Sequence, residues 1–95
     1  MIKHIVLFKV KDEYKKDLPM VKEVMLSMEQ NVPTVKAIQV GIDFLHSSRS
    51  YDIVLEVLLE KEDLDNYQND PYHIERVKKL MQKIQESCVA IDFEI

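Results

Sequence analysis

The nine residues Ile2–Val10, IKHIVLFKV, place the strongest constraint on the fold. Ile2, His4, Val6, Phe8 and Val10 share one parity, whereas Lys3, Ile5, Leu7 and Lys9 share the other, which is apolar in its middle. A strand alternates its side chains between two faces, so a segment greasy on both belongs inside a sheet and between layers, with a neighbour on either side. His4 is the polar exception on the first face, and if buried it needs a partner, either backbone or another site residue.

The rest of the chain supplies those neighbours and layers. Asp12–Lys16 is a charged connection. The spacing of Leu18, Val21, Met25, Met28 and Val32 predicts a helix over about 17–30, with Asp17 as cap, Pro19 in the first turn, and Lys22, Glu23, Ser27 and Glu29 facing outward. Residues 35–44 form a second strand with Ile38, Val40, Ile42 and Phe44 on one face. Its Gly41, the only glycine, marks a bulge or a close backbone approach. A polar turn, Leu45–Ser50 with a solvated His46, leads to a third strand over 51–60, apolar on both parities except at Glu56, which is expected at an exposed edge. A short helix over 61–68 precedes a longer one over 71–87, whose inner stripe is Ile74, Val77, Leu80, Met81 and Ile84 and whose basic run is a solvated face. A last strand then covers 88–95, with Cys88 as core filler at its start.

Strand, helix, strand, strand, short helix, helix, strand is the order of two βαβ-like halves. It predicts an α+β, ferredoxin-like, four-stranded antiparallel sheet in the order 4-1-3-2, with helices on one face only. Ile5, Leu7, Val89, Ile91 and Phe93 then lie on a face that nothing in the chain covers. An apolar face of that kind marks an interaction site, and a homodimer packed sheet to sheet is the simplest solution.

Ninety-five residues make a single domain over 1–95, and 46% hydrophobic with 32% charged residues is the balance of a folded chain. A net charge of -4 argues against a nucleic-acid partner, whose phosphates call for a basic face. No apolar run reaches membrane-spanning length and no leader pattern opens the sequence, so no membrane association is expected and the cytoplasm is the expected address. Cys88 alone makes neither a disulfide nor a metal site, and no phosphate-cradling glycine motif occurs; no metal or cofactor is expected.

Chemistry concentrates at Tyr67-Gln68-Asn69-Asp70-Pro71-Tyr72-His73, where one helix ends and another begins. Asp70 suits an N-cap and Pro71 the first helical position, so His73 falls in the first turn, with Tyr67 able to face it across the corner. The plainer account of the same residues is a tyrosine packed with its hydroxyl in water and a histidine on the surface.

The opening Met1-x-Lys3-His4-Ile5-Val6-Leu7-Phe8-Lys9, the corner Tyr67-x-x-x-Pro71-x-His73 and the closing Ile91-Asp92-Phe93 together resemble the stress-responsive A/B barrel domain family (Dabb), over essentially the whole chain. The resemblance implies a dimeric α+β barrel. A plant polyketide cyclase of that family carries a tyrosine and a histidine at the places of Tyr67 and His73, a histidine at that of His4 and an aspartate at that of Asp92. The resemblance thus implies His73 as base, Tyr67 as donor to a developing oxyanion, and Asp92 orienting His73 or His4. The helix amides at the Pro71 turn are expected to lower the imidazole pKa. The aromatics and glycine that line the cyclase pocket are absent from Ile74-Glu75-Arg76-Val77. Two readings follow. In one, a homodimeric small-molecule-binding or regulatory module of stress-response type uses His4, Tyr67, His73 and Asp92 as a structural hydrogen-bond cluster, with Met25, Met28 and Met81 filling the interior. In the other, a cyclase- or lyase-like enzyme acts on a small apolar carbonyl compound, which requires an apolar cavity of about 300 Å³ beside the corner. A haem-handling or quinone-forming monooxygenase is a third reading that rests on the fold alone.

Overall fold

The computed structural model describes residues Met1–Ile95. Four strands, β1 (Ile2–Val10), β2 (Ala37–Ile42), β3 (Ile53–Leu59) and β4 (Gln85–Glu94), form one sheet in the order β2-β3-β1-β4, every neighbouring pair antiparallel. β1 is therefore central, as its two apolar parities require. Ile2, Phe8 and Val10 are buried beneath the helices, while Val89, Ile91 and Phe93 of β4 stand exposed on the opposite face beside half-buried Ile5 and Leu7. Within one chain that back face is open, and the uncovered apolar surface expected from the sequence is present.

The helical layer is more broken than the periodicity implies. Asp12–Asp17 forms a 3₁₀ turn instead of a plain connection, and the first helix divides into α1 (Leu18–Leu26) and α2 (Met28–Asn31). The break falls at Ser27, whose hydroxyl donates to the Val24 carbonyl and meets Tyr72 Oη at 2.7 Å, so Ser27 faces another helix and not solvent. A serine that bonds back into its own turn competes with the helix ladder. Asp17 occupies the cap position of α1 without a capping bond from its side chain. The helix still does its main work: Val21, Met25 and Met28 have no exposed surface, and α1 lies over β2 and β3.

Other expectations need correcting. β2 is shorter than 35–44, and Phe44 beyond its end is exposed. Gly41 makes no bulge; β2 and β3 stay in register past it, and a Cβ there would sit 3.3 Å from Val54 Cγ1, so the glycine permits a close cross-strand approach. The one register irregularity lies instead between Lys9 and Val10, opposite β4. Glu56 sits on an inner strand, half-buried on the open face with Lys3 Nζ 3.4 Å away, and not at an edge. Cys88 is exposed, because β4 is an edge strand that the helices do not roof.

A 3₁₀ turn (Lys61–Asp63) and α3 (Leu64–Gln68) lead to the corner, and residues 71–84 form the last helix. Its first part, His73–Lys78, is wound as a π-helix and continues as α4 (Lys79–Ile84). The helix stops at Ile84, three residues before the expected end. Lys11 N–H donates to the Ile84 carbonyl at 2.9 Å and Lys11 Nζ to that of Lys83 at 3.2 Å, which satisfies the last turn and lets Gln85 enter β4 directly.

Candidate functional site

Asp70 organises the corner. Its Oδ1 accepts the amide hydrogens of Tyr72 at 2.8 Å and His73 at 3.2 Å, the N-cap geometry its position predicts, and Ile74 N–H reaches the Asp70 carbonyl at 3.0 Å. That start aims His73 inward, where it is 5% exposed. Its Nδ1 lies 3.0 Å from the Tyr67 carbonyl oxygen. A carbonyl only accepts, so Nδ1 carries the proton and donates it, and in the neutral ring the lone pair is on Nε2. Burial holds the His73 pKa below the ordinary imidazole value, with the nearby Lys78 and His4 acting in the same direction and the Tyr67 carbonyl and Asp70 opposing. Removal from water, and not the helix amides invoked from sequence, is thus the main cause, and His73 is neutral near pH 7.

Tyr67, on α3, lies against His73 with ring centroids 4.3 Å apart and planes tilted by 34°. It is wholly buried, and no protein group accepts its hydroxyl hydrogen. Burial, reinforced by the negative charge of Asp92, pushes the phenol pKa well above its usual value, so the group remains a hydrogen-bond donor. Leaving such a hydroxyl unpaired costs about 1–3 kcal/mol.

His4 and Asp92 are cross-strand partners on β1 and β4. His4 Nδ1 is in direct hydrogen-bond contact with the Asp92 carboxylate, which accepts, and the His4 ring stands edge-on to Tyr67 at 5.6 Å. Of the two histidines that Asp92 was expected to orient, it engages His4. All four sequence-nominated residues therefore meet at one end of the sheet, His73 and Tyr67 from the corner, His4 and Asp92 from adjacent strands. The surface account of Tyr67 and His73 does not hold.

Beside them lies a cleft of about 300 Å³ between β1, β4 and the last helix, with Val6, Phe8, Leu55, Val77, Met81 and Ala90 among its walls. His4, Tyr67 and His73 form part of the same lining. Met25 and Met28 do not fill it; they belong to the closed core under α1, and Met81 alone of the three methionines reaches the cleft. Sequence reasoning also missed Gln68, Lys78, Gln82 and Gln85, polar members of the lining. α-Helical spacing puts Lys78 in the solvated basic run, and the π turn moves it. A larger hollow, about 420 Å³, lies on the open sheet face near Leu7, Gly41, Phe44 and Val54 and contains no histidine. No group of histidine, cysteine and acidic side chains is arranged to hold a metal, and no helix is long and apolar enough to cross a membrane.

Comparison with curated proteins finds no significant match. Among solved structures, a dimeric protein of unknown function with a ferredoxin-like fold from Bacteroides fragilis is 26% identical, with a TM-score of 0.85 over 99% of this chain and 95% of that one. A dimeric ferredoxin-like protein of unknown function from Thermobifida fusca is 23% identical, TM-score 0.84, over 99% and 90% of the two chains. The hydroxynitrile lyase of Passiflora edulis shares the fold at 18% identity and TM-score 0.82, over 99% and 92%. The model of the stress responsive A/B barrel domain matches residues 2–95, and with the four-stranded sheet, its uncovered back and the corner residues in place, this chain belongs to that family.

Proposed function

We propose that the chain acts as a homodimer, paired through its open sheet face, and that its cleft takes a small, largely apolar carbonyl compound on which His73 serves as base and Tyr67 as oxyanion donor. What carries this reading is the unpaired Tyr67 hydroxyl, kept protonated and buried beside a neutral imidazole whose Nδ1–H is already committed. That leaves Nε2 as the basic atom. Abstraction of a proton next to the carbonyl would move it to Nε2, and the electron pair would collect on the carbonyl oxygen, where a phenol donor stabilises it. The His4–Asp92 pair braces the inner wall, and the Asp92 charge adds to burial, the main cause, in keeping the phenol protonated. The Tyr67 hydroxyl is buried, so a ligand oxygen in the cleft meets it through a side-chain-scale adjustment.

An inert regulatory module is less well supported, because its hydrogen-bond cluster would be incomplete at Tyr67. The dimeric state of similar proteins supports the pairing, and the uncovered apolar strand β4 and neighbouring β1 supply the surface. A role like that of olivetolic acid cyclase, which closes a polyketide chain by aldol condensation, lies within this chemistry.

The test is deuterium exchange at the carbon next to the carbonyl of 2-nonanone in D₂O, followed by NMR. The wild-type protein should accelerate exchange above buffer, His73→Gln should lower the acceleration by about 10²-fold, and Tyr67→Phe by a comparable factor of about 10². Tyr67→Phe should leave the melting temperature unchanged or raised, since it removes an unpaired buried hydroxyl. Exchange at the buffer rate with the wild-type protein, or a large loss of stability in Tyr67→Phe, overturns the reading.

A further inference from the structure

The cleft is apolar along its floor and polar at one side, where Gln68, Lys78, Gln82 and Gln85 stand, and no aspartate or glutamate lines it. Of the carboxylates beside the lining residues, Asp92 is already engaged by His4 and Asp70 by the amides of Tyr72 and His73. Lys78 is thus the only lysine, arginine or carboxylate side chain of the lining. Its Nζ donates to the Gln68 carbonyl at 2.7 Å, at the C-terminal end of α3, which leaves two of the three ammonium hydrogens for another acceptor.

The winding of the helix decides where this ammonium lies. At 3.6 residues per turn, a residue five positions on is rotated by about 140°, so in an α-helix Lys78 would point away from His73. Residues His73–Lys78 are π-wound, and the i→i+5 pattern brings the fifth residue nearly over the first. His73, Val77 and Lys78 consequently line one cleft. A capping role for Lys78 at α3 accounts for the bond to Gln68 and for nothing else about the lining.

We propose that the molecule taken by this cleft is an anion: an apolar body bearing a carboxylate, which Lys78 holds, together with the carbonyl that His73 and Tyr67 address. This inference rests on the cleft being a ligand site, as proposed above. An ammonium already fixed by one hydrogen bond loses little further freedom on pairing with a carboxylate, and a charge-assisted bond at a half-buried position is stronger than a neutral one.

Octanoate and 2-nonanone differ only in carrying O⁻ or CH₃ on the same carbonyl carbon, and each is titrated into the protein with amide chemical shifts at His73 and Ala90 as the readout. The expected result is octanoate binding about tenfold more tightly than the ketone, with the preference lost in Lys78→Met and retained in Lys78→Arg. A role confined to capping α3 would shift melting temperature without changing the ratio of the two affinities. Equal affinities in the wild-type protein overturn the inference while leaving the cleft reading intact, and that comparison needs no variant to fold. A preference that survives in folded Lys78→Met overturns it as well. Binding of neither probe overturns both this inference and the ligand-site reading beneath it.

Discussion

The same face of the sheet is treated in two ways along its width. Over β2 and β3, α1 closes the interior completely, with Val21 and Met25 without exposed surface. Over β1 and β4, the π-wound start of the last helix leaves a cleft, an exposed edge strand and a buried phenol without a partner. Both halves are drawn from similar aliphatic and methionine side chains. Composition is therefore not what separates closed core from open cleft; the difference is how the helix is wound above the strands and whether the polar groups are satisfied.

Three measurements bear on that contrast, beyond those given with the proposals. The largest effect is expected from Met25→Ala, which opens a cavity in the closed half and should cost about 2–5 kcal/mol in chemical denaturation. Met81→Ala, whose side chain already borders the cleft, should cost less, because the space it leaves joins an existing opening. Equal costs would erase the distinction between the halves. Next comes Asp70→Ala, which removes the acceptor for two helix amides and should cost about 1 kcal/mol while broadening the His73 ring resonances. An unaffected imidazole signal would mean that the corner does not position it.

The smallest is a pH slope. Because the folded protein holds His73 below its ordinary value, the unfolded chain binds the proton more readily, and stability falls as pH drops through the usual imidazole range toward the lowered folded value. Above that range the contribution is complete. His73→Gln should flatten this part of the stability profile measured by urea denaturation, and an unchanged slope would show that another group is responsible.

Much of the architecture was legible because period-two patterns are strong and the both-sided apolarity of Ile2–Val10 admits only an inner strand. Strand order then put His4 next to Asp92, and the Asp70–Pro71 pair marked a helix start with His73 in its first turn. The Ser27 break was hidden because its cause is a hydroxyl bonding to Val24 and Tyr72, whereas its neighbours keep helical spacing. Cys88 and the end of the helix were misplaced for a linked reason: Lys11, far away in sequence, terminates the helix at Ile84, and the strand that follows has no roof. HIERVK carries no mark of π winding, so the cleft and the inward turn of Lys78 could not be read from it.

A wide turn of this sort is a surplus residue carried without breaking the rod. Deleting one position between His73 and Lys78 would let the segment relax to ordinary pitch with the lysine four places from the histidine, still on its side of the rod and with the phase up to Ile84 kept, whereas straightening the turn at full length would swing the ammonium away. A residue gained or lost at this one place is therefore absorbed by the winding, and the side chains before and after it keep their places above the strands.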